Sequence, residues 1–423
     1  MDYKSFCLLI FLGISHFLYG QTEDAVKKAI QLGDAQRFDD AITLLKTEIK
    51  NNPNNAEAYY WIGRYAHYLV YDSRPFLRKS NEWSKTEVLA NLNKAIQLNN
   101  KLGDAYYFLA VEYGCRAREA IQNRDIIQAK KELLAARKAG AFPDYMLEYA
   151  RSILNSCEQN AILFSNRDAA VNALMFVQLI EGVRKDISLV VVNLLERPFY
   201  IKYMRDGIPD EIEKVPISWS DNLIMNMYSY FPWKEQPLKI KISPQRKKEY
   251  NIPDSINNIK LLVKDKYGSG SMWIGTAAIL NIFENNKFER PIYCALPSDD
   301  DMFEFTDYLQ NEGFVSKLMP YKVKGTAKEY DRAKFESSML NADNYRDFAD
   351  VKVHSQPRAN YFFCDNRRNI ILDYVQFLIS LNEKEKAKVV YSKMNLLMPA
   401  LDCSLSSDIL ERCKKMDKQL LAE

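Results

Sequence analysis

The sequence predicts an α-helical repeat array, then a small α/β domain with a mostly parallel sheet, then a C-terminal helical pair. Three observations lead there. Between residues 22 and 158, small residues recur at matched places in units of about 34 residues. Near Asn160 this Ala-rich helical spacing gives way to short apolar runs. From Asn366 helical spacing returns. The implied order is a signal peptide at 1–20, helical repeats at 21–158, an α/β domain at 159–330 and a helical segment at 331–423.

At the N-terminus, Lys4 supplies a short positive region and residues 6–19 are apolar. Gly20 is the small residue at the expected cleavage point, followed by polar Gln21, Thr22 and Glu23. The apolar run is shorter than the roughly 20 residues a spanning helix needs. The later run 187–195 reads as a buried strand, so no transmembrane segment is expected in the mature chain. Export, to the periplasm or beyond, is the expected localisation. Basic residues exceed acidic ones by only +3, without a long basic block, so no nucleic-acid partner is expected. Six cysteines follow residue 20, none of them in a C-x-x-C pair, and most read as buried thiols in a compartment that permits disulfides.

The helical units come next. In 22–55, Ala29 is the small residue of a first helix, Phe38, Ala41 and Leu45 mark a second, and Pro53 closes the unit. The next begins Ala56-Glu57-Ala58-Tyr59, with Ile62-Gly63, and its second helix is expected late, at 91–98, after an insertion at 71–84. A third starts Gly103-Asp104-Ala105-Tyr106, with Leu109, Ala110 and Tyr113, then Ala129, Leu133 and Ala136. Residues 143–157 read as a capping helix. These positions resemble the tetratricopeptide repeat. The resemblance implies a concave groove, lined by the first helices, that holds a partner protein's peptide or helix. Carried over by position, the groove residues are Tyr60, Arg64, His67, Tyr107 and Val111. Aromatic residues there also serve as packing between repeats.

In the middle domain, 161–164 reads as a strand, 169–185 as a helix and 187–195 as a strand, together a βαβ unit. Helices are expected at 272–286 and 302–312, and strands at 291–296 and 314–321. Gln178-x-x-Glu181-Gly182-Val183-Arg184-x-Asp186, Val191-Val192-Asn193-Leu194-Leu195, Arg290-Pro291-Ile292-Tyr293, Glu312-Gly313-Phe314 and Leu318-Met319-Pro320 occur in that order. Over about 160–400 they resemble the soluble C-terminal region of a bacterial membrane-protein family of unknown function, akin to protein O-mannosyltransferases. That family carries an acidic Gly-Asp-Asn-Asp-Thr loop after its first strand. Here Arg167-Asp168-Ala169-Ala170-Val171 keeps the first acid and replaces the second by Ala170. The membrane-embedded part of the relatives is missing, so transfer chemistry is not implied.

Ligands in α/β sheets bind beyond the carboxyl ends of strands. Asn166, Arg167, Asp168, Asn193, Ser298 and Asp299 are the polar residues expected there, with Arg167 placed for a carboxylate or sugar and the aspartates for a cation. The simpler reading has Ser298 and the acids after it capping a helix. Gly268-Ser269-Gly270-Ser271 lacks the lysine of a phosphate loop and reads as a turn. Only His67 and His354 follow residue 20, too few for histidine-based zinc or triad chemistry. No catalytic residue, resident metal or cofactor is expected.

The C-terminal pair spans 366–381 and 384–397, with Ala387 and Pro399 at repeat-like positions and 402–421 as a cap. Together these features suggest an exported, non-catalytic adaptor in the cell envelope that binds a protein partner. The alternative is a carbohydrate-binding or carboxylate-dependent glycan-active protein using the strand-end cleft.

Overall fold

The computed structural model describes residues 25–70, 80–263, 268, 270–295, 305–347, 364–399 and 405–420. The residues form two compact units. One holds the described residues up to Arg116 together with Ala135–Ala141, and the other holds Ala117–Leu134 and the residues from Phe142 onward.

The first unit is helical. Helix α1 covers 25–34, α2 Phe38–Asn51 and α3 Ala56–Val70. A short α4 (Ser80–Trp83) continues through a π-helical stretch (Ser84–Leu89) into α5 (Ala90–Leu98). The expected late start at 91 is therefore corrected: the helix is already formed at Ser80, and only 71–79 of the insertion lie outside the described residues. Helix α6 (Gly103–Gln122) and α7 (Ile126–Lys138) contribute residues to both units. Small residues set the spacing. Ala29, Ala41, Ala58 and Ala95 are fully buried, and a Cβ on Gly63 would lie 2.8 Å from Leu92. Helix α3 packs against both α2 and α5.

The second unit is built on a five-stranded sheet in the order β2-β1-β7-β9-β8. Helix α8 (Asp144–Ser156) leads into β1 (Ile162–Ser165), α9 (Asp168–Leu179) and β2 (Ser188–Val191), and β1 and β2 are parallel as expected. The segment 196–267, without an assignment from sequence, holds α10 (Pro198–Asp206), α11 (Asp221–Met225), β3 (Tyr230–Pro232), β4 (Gln236–Lys241), α12 (Pro244–Glu249) and β5 (Asn258–Val263). Two small sheets, β4–β5 and β3 with β6 (Ser271–Trp273), arise there. Helix α13 (Ile274–Asn286) then returns the chain to β7 (Ile292–Ala295), parallel to β1. The β1–α9–β2 connection crosses the sheet one way and the β2–α13–β7 connection crosses back past β1, so the right-handed rule places α9 and α13 on opposite faces. Phe164 of β1 meets Phe283 of α13 edge-on at 5.9 Å.

The sheet is mixed rather than mostly parallel. Residues 302–304 lie outside the described set, but 309–311 form β8 (Leu309–Asn311) instead of ending a helix. Only Glu312, Gly313 and Phe314 separate β8 from β9 (Val315–Leu318), a connection too short for a parallel crossover, so β8 and β9 pair antiparallel. β9 also pairs antiparallel with β7. Gly313 makes the turn at φ +109°, and a Cβ there would fall 2.1 Å from Ser338 Oγ. Other boundaries tighten. The strand at 187–195 stops at Val191, α9 ends at Leu179, and 271–273 pair with β3 before α13 begins.

Helix α14 (Arg332–Met339) is capped by Asp331, whose carboxylate accepts from the Lys334 amide. The C-terminal helices are α15 (Asn366–Ser380), α16 (Lys384–Leu397) and α17 (Ser407–Leu420), close to their expected ranges. Cys115, Cys157, Cys294 and Cys364 are buried free thiols.

Candidate functional site

The groove residues expected on α3 and α6 separate into two sets. Tyr60, His67 and Val111 are 3–4 % exposed and belong to the interior. His67 Nδ1 lies 2.6 Å from Glu112 Oε2, and Ser84 donates to the other carboxylate oxygen. Arg116 donates to Ser84 Oγ at 3.3 Å and to Asn81 Oδ1 at 2.9 Å. A fully buried carboxylate persists because α3, α6 and the π-helical stretch together satisfy it.

Arg64 and Tyr107 stay half-buried. The Arg64 guanidinium lies 4.6 Å from the Trp61 ring centre, 5.4 Å from Phe108 and 5.6 Å from Tyr68. It donates to the hydroxyls of Tyr60 and Tyr68, each at 3.2 Å. Tyr107 meets Phe108 edge-on at 5.5 Å. Trp61 and Tyr68, also half-buried, escape transfer by repeat position. The i, i+3, i+4, i+7 run Trp61, Arg64, Tyr65, Tyr68 would have found them. A half-buried Trp–Arg–Tyr surface, with its guanidinium already stacked and oriented, has the composition of protein-binding hot spots.

In the second unit the chain leaves β1 toward β2 on one side, and β7 lies on the other. This is the switch point where α/β sheets open a crevice. Asn166, Arg167 and Asp168 follow β1 there, and exposed Asn193 follows β2. Ser298 and Asp299 lie outside the described residues. Asp168 is engaged: Arg118 donates to its carboxylate at 2.7 Å and to Asn172 Oδ1 at 2.9 Å. Arg167 holds φ +68°, an uncommon conformation for a side-chain-bearing residue. Nearby, the buried Arg367 guanidinium stacks within 4.9 Å of Tyr149, 5.1 Å of Tyr345 and 5.9 Å of Phe314. Burial pushes the Tyr149 hydroxyl up to about 12, against the pull of Arg367 and Arg167. Among the described residues no group of three or more His, Cys, Asp or Glu could hold a metal ion.

Gln178, Gly182, Arg184, Asp186 and Arg290 sit at the other end of the parallel strands. Arg184 donates to the carbonyls of Leu154, Cys157 and Glu158 and pairs with Asp186. Gln178 donates to the carbonyls of Arg184 and Ile187, and Gly182 turns the chain at φ +71°. Arg290 donates to the carbonyls of Asn160, Ala161 and Lys214 and to Ser188 Oγ. Each of these groups pins the start of a strand. Their work is to hold the sheet, and the Arg290 charge bears a burial cost that lowers its pKa.

A charge cluster joins β9 and α14. Lys334 Nζ lies 2.9 Å from Glu158 and 3.0 Å from Glu312, and Lys317 reaches Glu158 at 2.8 Å. Tyr293 donates to Glu312 at 3.3 Å. Burial raises the Glu312 carboxyl above the usual range despite Lys334. For Glu158 burial acts the same way, but the two lysines outweigh it and hold the carboxyl at about 2.

Among the described residues no helix is long and apolar enough to cross a membrane. No curated protein and no solved structure matches the chain. From within α8 to the end of α14, residues 146–228 and 220–339 match the family described as TMEM260-associated domain 2.

Proposed function

We propose that this chain is an exported protein of the cell envelope that docks a protein partner, as a peptide or helix, on a tetratricopeptide-type helical array, acting as an adaptor rather than a catalyst. The observation that carries the reading is the half-exposed Trp61–Arg64–Tyr68–Tyr107 face of α3 and α6. Large rigid side chains lose little entropy on binding, and the Arg64 fork is oriented before a partner arrives. The antiparallel packing of α2 on α3 supports the repeat assignment, as do the buried small residues Ala29, Gly63 and Ala110 at matched positions of α1, α3 and α6. The alternative, a glycan-active strand-end cleft, draws less support because the Asp168 carboxylate is already paired with the Arg118 guanidinium.

The test is site-specific photo-cross-linking in whole envelope, with the photoreactive residue at Tyr107. A discrete protein adduct is expected, and it should vanish in the double variant Trp61→Ala/Arg64→Ala while the melting temperature stays within a few degrees. An adduct that survives the double variant, or no adduct at all, rejects this reading.

A further inference from the structure

The antiparallel pair β4–β5 separates its residues between two faces. Ile240, Ile259, Leu261 and Val263 are buried on one of them, and β4 packs against α13. The other face is exposed and carries Pro237, Lys239 and Lys241 beside Asn258, Lys260 and Leu262. The register sets Lys239 directly opposite Lys260, and Lys241 opposite Asn258. Residues opposed in this way have Cβ atoms roughly 4.5–5.5 Å apart, where like charges destabilise the pairing. The face carries no carboxylate, and none of its three lysines forms an ion pair with a described residue. A two-stranded sheet has little stability of its own. A like-charge pair kept at its centre therefore points to a role outside the fold.

A second feature adjoins this one. The chain entering β4 exposes large apolar side chains in close succession: Leu223 and Met225 on α11, then Tyr228 and Tyr230, 83 % and 61 % exposed, leading into β3. Trp233 ties that stretch to the lysine sheet, its indole donating to the Val263 carbonyl at 3.5 Å. Pro237 and Leu262 pair at the same end of the sheet, and the lysines lie beyond them. Clustered exposed apolar side chains mark an interaction surface. Lysines flanked by tyrosine, tryptophan and leucine suit the boundary of a lipid layer, with the rings at head-group level and the ammonium groups on anionic phosphates. A soluble polyanion would use the lysines and leave exposed Tyr228 and Tyr230 without a role.

We propose that the β4–β5 lysine face and the adjoining Tyr228–Tyr230 stretch form a docking surface for an anionic lipid layer. The surface uses none of the residues of the protein-docking face.

The experiment is co-sedimentation of the full chain with vesicles of phosphatidylcholine alone, or of an equal mixture with phosphatidylglycerol, at low salt. The apolar residues 6–19 would favour both vesicle types, so the readout is the excess bound to the mixed vesicles. A clear excess is expected, and high salt should remove it. Lys260→Glu should weaken the excess binding about thirtyfold, the effect of exchanging an attractive charge for a repulsive one. The same change sets a carboxylate opposite Lys239, so the melting temperature should hold or rise. Lys239→Gln/Lys260→Gln, which only removes the like-charge pair, should weaken binding to a similar extent. Tyr228→Ser/Tyr230→Ser should cost about tenfold. Lysines on open strands also keep a second chain from pairing there. Lys260→Glu preserves a charge for that purpose, so unchanged vesicle binding in this variant would leave only that role and overturn the proposal. Equal binding to both vesicle types, no vesicle binding at all, or capture by soluble polyglutamate in its place would each overturn it as well.

Discussion

Each unit buries a carboxylate, and the two do it differently. Glu112 in the helical unit is fully buried and met by His67 and Ser84, with Arg116 one hydrogen bond behind. Glu312 in the α/β unit, 1 % exposed, shares one lysine with a second carboxylate, Glu158. The helical unit draws its donors from three separate helical segments, so the buried charge fixes how those segments meet. The α/β unit spreads charge along β9 and α14, where the sheet already fixes the geometry. Buried charge is a positional device in the first case and an electrostatic balance in the second.

Glu112→Ala should have the largest effect, because it strands the His67 and Ser84 donors in the interior. A loss of roughly 3 kcal/mol is expected in urea denaturation. A loss below about 1 kcal/mol would mean the helical unit does not rely on this contact, and the contrast would collapse. Gly33→Ala tests close helix approach instead of charge. Its Cβ would lie 2.2 Å from the Tyr65 hydroxyl, and a loss of about 2 kcal/mol is expected from overpacking. An unchanged melting temperature would show that Tyr65 moves aside freely.

The smallest effect should appear in the pH dependence of the α/β unit. Glu158 is depressed in the folded chain, so its contribution is complete above the ordinary value of 4.5 and is lost as pH falls toward about 2. Lys317→Met should make stability between those limits fall less steeply, because the folded carboxyl moves back toward its unfolded value. Denaturation midpoints at a series of pH values between 5 and 2.5 measure this. Equal slopes in both proteins would show that Lys334 alone sets the behaviour of Glu158.

The sequence shows most where a pattern is periodic and local. Strands at 161–164, 291–296 and 314–321, and the helices after 366, lie within a few residues of their observed ranges because apolar runs and helical spacing mark them directly. The 302–312 helix fails for a non-local reason: Leu309–Asn311 has its partner in β9, and the turn at Gly313 decides the pairing. The segment after 196 went unread because β4 and β5 expose one face, so no continuous apolar run marks them, and because they find their partners within a small local sheet. At the docking face, repeat position identifies Arg64 and Tyr107, but does not separate them from buried Tyr60, His67 and Val111. Burial on a helix face depends on its neighbours, and Phe108 and Glu112 come from a helix more than 40 residues away.

The π-helical stretch at Ser84–Leu89 has a consequence for how this helix tolerates change in length. Its closing bond runs from the Ala90 amide to the Lys85 carbonyl, five residues back. A turn of that kind holds one residue more than an α-turn for nearly the same rotation. Deleting one residue there would rewind the helix to regular pitch and leave the residues before it facing as they do now. Deleting one residue from the regular helix that follows would instead rotate everything upstream by about 100°. Ser84 would turn away from Glu112, and the Trp83 indole would lose its hydrogen bond to the Ala66 carbonyl. The π-turn is where this helix can shed a residue and keep its register with α3.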